Sequence, residues 1–409
     1  MNMSKKGLPL DGVKVMDLTI YVAGPACSTM LGYMGADVIK VESLKGDPYR
    51  VSGKGYGMPA EPKKNPLYDA CNGFKRCIAI DFRSDEGKEV LKRIASEADI
   101  IVTNYRAKPL KGMGMDYETV SSYNKKVVYG YFSGYGDTGP DAERPGFDST
   151  AFFARSGFAM RGTYLDHPPM APISAAGDSI SCMALAVGIL GAFSKARLTG
   201  EGEMVSSSLY GSGLWIMGVG VAQAQYGYVG PFPREKPGFI ALSTDYETRD
   251  KIWVRICGMS AERYWAPLCR ALKMEDYIED PRYCTSSAQH ENLAECCALV
   301  QEHFHKFDFD EVYQRMIAED LPVERNFTTD KLVNDEQALA NRFISEIEYE
   351  GGETAYMSMP PFKFLKAGEN AKGRRGPYLG EHTVEVLSEY GFTEKEISGM
   401  ISEGKAIQI

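Results

Sequence analysis

The chain of 409 residues lacks most of the motifs that would declare its chemistry at once. Its nine cysteines are scattered, Cys296-Cys297 is the one adjacent pair, and no Cys-x-x-Cys occurs, so neither a zinc ribbon nor a dithiol redox motif is present. Such thiols serve mainly as small buried hydrophobes. Five histidines offer no ligand spacing: His303 and His305, two apart in a helix-like stretch, face different sides. No metal is expected. Positive charge is not in excess either. A net charge of −9 removes the basic face that nucleic acid or an anionic membrane surface requires, while leaving room for a local anion site. The opening Met1-Asn-Met-Ser-Lys-Lys-Gly7 has no apolar region behind it, so no secretory signal is read and a cytoplasmic location is expected. The longest apolar runs, near 182–193 and 213–222, fall short of the ~20 residues of a membrane span. Internal repeats and low-complexity tracts are missing as well.

What is there is alternation. Val13–Leu18 reads as a strand, Pro25 opens a helix that runs to Gly35, and Asp37–Glu42 is the next strand, which together make a right-handed βαβ unit. The turn after the first strand has no Gly-x-Gly-x-x-Gly, which disfavours a nicotinamide dehydrogenase. Strands at 76–80, 99–103 and 127–132 continue the series, with Ser84 as the N-cap of a helix to Glu97. Residues 10–135 are therefore a doubly wound, Rossmann-like parallel sheet of α/β class. Ligands in such sheets lie beyond the carboxyl ends of the strands, here Thr19–Gly24, Glu42–Arg50, Asn104–Arg106 and Ser133–Gly136. Residues 43–70 and 136–177 read as long loops.

The Gly- and Pro-rich stretch Tyr226–Gly238 marks a domain boundary. The expected division is 1–228 for the large domain, 229–330 for a smaller α+β domain, and 331–409 for a return to the large one. In the small domain, 239–244 and 251–256 are expected to pair antiparallel, with helices near 261–272, 289–305 and 308–318.

One acid stands out. Ser174-Ala-Ala-Gly-Asp178 leads into the apolar helical run that starts at Met183. An acid at a helix start can be a plain N-cap. Read with its neighbours, it can also be a nucleophile.

The motifs that decide between these are ordered along the chain. Leu10-Asp-Gly-Val-Lys-Val-Met-Asp-Leu18, Ala23-Gly-Pro25, Leu31-Gly-x-x-Gly-Ala-Asp-Val-Ile-Lys-Val-Glu42 and Gly46-Asp-Pro-x-Arg50 come first. Asn72-Gly-Phe-Lys-Arg76, Gly134-Tyr-Gly-x-x-Gly-Pro140, Gly177-Asp178, Thr199-Gly-Glu-Gly202 and Gly380-Glu-His-Thr383 follow. The series resembles the class III CoA-transferases over essentially the full length. Pro145-Gly-Phe-Asp-Ser-Thr-Ala-Phe-Phe-Ala-Arg-Ser-Gly157 resembles their 2-hydroxyacyl-CoA transferases of amino-acid-fermenting anaerobes, the 2-hydroxyisocaproate and phenyllactate type.

The resemblance implies an interlocked homodimer and coenzyme A as co-substrate, with acyl-CoA and carboxylic acids as the other partners. It implies Asp178 as the nucleophile that carries CoA as an aspartyl thioester from an acyl-CoA, such as a 2-enoyl-CoA, to a 2-hydroxy acid. An ordinary aspartate is ionised at neutral pH and needs no base. For CoA it implies contacts from Val22, Ala23, Asn104, Tyr105 and Tyr135. Lys75, Arg76, Arg106, Lys108 and Lys111 are candidates for its phosphates; Arg106 and Lys111 could also replace an arginine the family carries at Gly112. Glycine loops near Gly177 or in the small domain would supply oxyanion donors. Two alternatives stay open: a 2-methylacyl-CoA racemase, and a CoA-transferase for carnitine, bile, formyl or oxalyl acids. Racemases carry histidine where this chain has Phe147, and phenylalanine cannot move a proton.

Overall fold

The computed structural model describes residues 7–227, 240–366 and 372–409. The chain packs as two compact units, the first made of Met1–Ala159, Ala171–Gly227 and Glu336–Ile409, the second of Met160–Met170 and Tyr228–Asp335. Strands β1 (Lys14–Leu18), β2 (Asp37–Ser43), β3 (Lys75–Ile80), β4 (Ile100–Thr103), β5 (Val128–Ser133) and β6 (Met204–Ser208) lie in the first unit. Strands β7 (Asp245–Glu247), β8 (Trp253–Ile256) and β9 (Val323–Arg325) lie in the second, and β10 (Ile344–Glu348), β11 (Thr354–Ser358) and β12 (Ala406–Ile407) return to the first.

The central sheet runs in the order β12-β3-β2-β1-β4-β5-β6, with β1 to β6 parallel and β12 antiparallel on the edge of β3. This is the doubly wound arrangement, with β1 and β4 side by side where the winding reverses. The strands carry near-continuous apolar runs because both faces are covered: Val38, Ile39, Val41, Ile100, Ile101 and Val102 are all buried. Helix α1 (Ala23–Tyr33) starts before Pro25, which occupies a first-turn position where its missing N–H leaves no bond unmade. The regions read as loops hold local structure. A 3₁₀ helix at Pro48–Tyr56, capped by Asp47, precedes α2 (Pro66–Asn72). After α3 (Asp85–Glu97), whose Ser84 cap accepts from the Gly87 N–H, come α4 (Ala107–Met113) and α5 (Tyr117–Tyr123). A π-helical turn at Asp148–Ala154 then leads to α6 (Phe158–Arg161). Helix α3 and the short helix α5 are expected from the sequence, near 84–97 and 116–124; the 3₁₀ helix, α2, α4, α6 and the π-helical turn carry no clear apolar period, which is why the sequence does not announce them.

Helix α7 (Ala176–Thr199) is longer than the apolar run at 182–193, and its 24 residues are long and apolar enough to cross a membrane by length and composition. It packs on the sheet instead, against α1, β5 and β6. Gly130 on β5 leaves the gap that the Ile189 side chain fills. Helices α8 (Leu209–Ile216) and α9 (Gly218–Ala224) follow.

In the second unit β8 pairs antiparallel with both β7 and β9. The pairing partner of β8 is Asp245–Glu247, not 239–244. Ile240, Ala241 and Leu242 are buried in a turn, and Phe239 lies outside the described residues. Helices Ala261–Ala271, Leu293–Phe304 and Phe309–Ala318 cover this sheet around Trp265, Tyr246 and Phe304.

Candidate active site

A cleft of about 1010 Å³ opens at the carboxyl ends of the parallel strands. Ile20–Ala23 after β1, Tyr49 and Tyr56 after β2, Asn104 and Arg106 after β4, and Tyr131–Gly134 at the end of β5 line it, together with Phe147, Asp148 and Asp178. The point where the winding reverses is where a doubly wound sheet has room for a ligand, because the flanking connections leave to opposite faces.

Asp178 is the third residue of α7. The residue before that helix, Ala175, is in the left-handed region (φ 60), a conformation unfavourable for a residue with a Cβ. Asp178 is not the cap, since no side chain caps this helix. The N–H groups of Ala175, Gly177 and Asp178 instead face the carboxylate of Asp148. They hold its pKa down against burial, which pushes it up overall. Asp148 Oδ1 is nevertheless buried without a partner of full hydrogen-bond geometry. Burial, and then the charge of Asp148, push the Asp178 carboxyl from its ordinary 3.8 up to about 7. The direction is away from the ordinary aspartate that the sequence suggests: burial beside a second acid favours the protonated form of Asp178. Gly177 itself is required, because a Cβ there would overlap the Asp148 carboxylate and the Phe152 ring.

The other predicted residues divide. Val22, Ala23, Asn104 and Arg106 line the cleft. Asn104 is already engaged, donating from Nδ2 to the Ile20 carbonyl (2.7 Å) and accepting the Ile20 N–H at Oδ1 (2.9 Å). Arg106 also borders an adjoining cleft of about 460 Å³ with Lys108 and Glu143. Lys75 and Arg76 are at the amino end of β3, not at a carboxyl end. The Lys75 ammonium is fully buried, donating to Asp17 (2.8 Å), the carbonyls of Pro25 and Cys71, and Asn72, which leaves nothing for a phosphate. Arg76 is tied to Asp37, Glu385 and Glu389. Tyr105 packs on the sheet core beside Phe82, and Lys111 is exposed on α4 away from the cleft lining. Tyr135 lies next to lining Gly134, its ring packed against Tyr210 and the guanidinium groups of Arg144 and Arg155.

Asp148 is the residue that sequence reasoning passed over, although it directly follows Phe147 in the motif that was quoted. Tyr21, Tyr49 and Tyr56 were missed too, because nothing in their local sequence distinguishes a cleft aromatic from a core one. Among the described residues no group of His, Cys, Asp and Glu is arranged to hold a metal.

The model of CoA-transferase family III matches residues 10–383. The chain is 35% identical over 389 residues to (R)-2-hydroxy-4-methylpentanoate CoA-transferase of Clostridioides difficile, covering 95% of this chain and 97% of that one. It is 36% identical over 397 residues to cinnamoyl-CoA:phenyllactate CoA-transferase of Clostridium sporogenes, covering 94% of each. A crystal structure of a CAIB/BAIF family protein from Brucella suis superposes with a TM-score of 0.81 at 27% identity, covering 94% of this chain and 100% of that one. With a family match that takes in nearly the whole chain, this protein belongs to CoA-transferase family III and is an enzyme of that class.

Proposed function

We propose that the protein moves CoA from an acyl-CoA, with a 2-enoyl-CoA as donor, to a 2-hydroxy carboxylic acid of the (R)-2-hydroxyisocaproate kind, with Asp178 as nucleophile. The observation that carries this reading is a carboxylate, Asp178, that lines the cleft at the strand ends and is desolvated there beside a second acid, Asp148. A carboxylate in that setting is poorly solvated and reactive.

The Asp178 oxygen attacks the thioester carbonyl, giving a mixed anhydride and CoA thiolate. The thiolate then attacks the aspartyl carbonyl, forming the aspartyl-CoA thioester and freeing the donor acid. The acceptor carboxylate reverses the two steps, so the thioester bond is conserved and no outside base or oxidant is needed. Val22 and Ala23 suit contact with the adenine and pantetheine parts of CoA, and Arg106 with Lys108 suits its phosphates. The relatives' printed substrates, 2-hydroxy-4-methylpentanoate and phenyllactate, support a mid-sized apolar acid as acceptor. A homodimer is part of the same proposal. Leu198 on α7 (87% exposed) and Trp215 on α8 (85%) are exposed apolar side chains of the kind a second copy would cover.

The test is exchange of CoA between crotonyl-CoA and (R)-2-hydroxy-4-methylpentanoate. Asp178→Ala is expected to lose at least about 10⁴-fold in rate while keeping its fold. Hydroxylamine added with acyl-CoA should modify wild type at Asp178. Undiminished exchange by Asp178→Ala overturns the covalent route. Solvent deuterium entering the α-position without an acceptor acid would point to the racemase instead.

A further inference from the structure

The segment that leaves β1, Thr19-Ile-Tyr-Val22, has no regular structure, yet its backbone is fastened residue by residue. Lys40 Nζ donates to the Thr19 carbonyl (2.9 Å), and Asn104 holds both polar groups of Ile20. Asp47 Oδ1 accepts the Tyr21 N–H (3.0 Å) and also the Tyr49 N–H (2.9 Å), and both tyrosines line the cleft. Asp47 Oδ2 takes the Lys40 ammonium (3.1 Å), and the side chains of Asp47 and Lys40 are wholly buried. Two further buried or largely buried pairs adjoin this one, Lys75 with Asp17 and Arg50 with Glu42, so three acids face three bases. Buried ion pairs add little stability over apolar packing of the same volume, whereas they fix geometry.

Tyr21 is what this geometry acts on. Its φ of 63 lies in the left-handed region, unfavourable for a bulky residue. Burial of the ring does not offset that, since Tyr21 is 38% exposed. The ring stands edge-on to Phe147, with centroids 5.9 Å apart and planes at 89°, and Phe147 directly precedes Asp148. The strained backbone thus places a ring at the cleft rather than in the core.

We propose that Asp47 is a positioning residue for substrate selectivity: by holding the backbones of Tyr21 and Tyr49, it keeps the Tyr21 ring against Phe147 as a wall for the acyl side chain. Branched or aromatic acids reach that wall, and an acid with a methyl side chain does not. The inference rests on the proposed CoA transfer and deepens it.

The experiment uses four proteins: wild type, Asp47→Asn, Tyr21→Gly and the double variant. Each is assayed for kcat/KM with crotonyl-CoA as donor and either (R)-2-hydroxy-4-methylpentanoate or lactate as acceptor. Asp47→Asn keeps an acceptor for the two N–H groups but turns an amide towards Lys40. It is expected to lose about tenfold or more with the branched acid and less than about threefold with lactate. In the Tyr21→Gly background the same change should cost less than about threefold with either acid. Equal losses with both acids, or the same factor in both backgrounds, overturn the proposal. If Asp47→Asn does not fold, Tyr21→Gly decides alone: glycine suits the left-handed backbone, so that variant folds, and an unchanged preference between the two acids sinks the idea. A wild-type protein that exchanges no CoA ends the proposed function instead. The positioning claim is then read from calorimetric Kd values of 4-methylpentanoyl-CoA and acetyl-CoA on the same four proteins, with the same selective loss expected.

Discussion

Asp17 and Asp178 are the same residue type within one unit, Asp17 fully buried and Asp178 half-buried at the cleft, and their carboxyl groups behave in opposite ways. Burial pushes both pKa values up. At Asp17 the ammonium groups of Lys75 and Lys40 and the hydroxyl of Ser28 outweigh it and hold the acid at about 2. At Asp178 the neighbouring charge that acts on it is another acid, Asp148, and the value climbs to about 7. Burial alone therefore does not set a carboxyl's chemistry; what is buried with it does. One acid is a structural anion, and the other is left short of solvation, as the proposed nucleophile would be.

The contrast can be broken from the structural side first. Lys75→Met leaves Asp17 buried without its partner and should lower stability by about 3–5 kcal/mol in urea unfolding. Replacing both, as Asp17→Leu with Lys75→Met, should recover most of that loss. A small effect of the single change would mean that water already reaches Asp17. The two acids also predict opposite pH dependence. The depressed Asp17 contributes stability above its ordinary 3.8 that is lost as pH falls towards about 2. The raised Asp178 costs nothing below 3.8 and progressively more up to about 7, where it must ionise in place.

It follows that Asp178→Asn should stabilise the protein, by about 1–3 kcal/mol at pH 8 and by much less at pH 4. Equal melting-temperature shifts at the two pH values would refute the raised pKa. The smallest effect concerns the coupling between the two cleft acids. Wild-type kcat/KM should rise with pH to a plateau, with its limb near pH 7 where Asp178 ionises. Asp148→Asn removes the neighbouring charge and should move that limb down by up to about one unit. A limb that stays in place would show that burial alone raises Asp178.

The same contrast separates what was legible in the sequence from what was not. Five of the six parallel strands declared themselves through apolar runs broken by helices, whereas β6 (Met-Val-Ser-Ser-Ser) has no such run, and the strand ends expected to hold ligand do form the cleft. Gly177-Asp178 stood out because a glycine and an acid interrupt a run of small residues. Lys75 could not be placed from its neighbours. A lysine at the start of a strand reads alike whether it meets solvent or an acid 58 residues away on another strand. Asp148 was hidden for the converse reason: its π-helical turn has no periodicity, and its effect on Asp178 exists only once α7 is packed beside it. Arg76 shows the limit of reading a basic pair as a ligand site, since three surface acids already hold it.

The antiparallel pairing of β12 with β3 carries a consequence in time. Ala406 and Ile407 bond to Ile80 and Ala79, and nearby the Cys77 N–H donates to His382 Nδ1 across 305 residues of chain. A ribosome adding roughly 5–20 residues per second needs on the order of 15–60 s to supply that length. Throughout that interval the outer edge of β3 has unpaired N–H and C=O groups, the feature by which nascent sheets join to the wrong neighbour. Ala406 and Ile407 therefore act as a late closure of that edge, and replacing both by proline should show first as aggregation during synthesis.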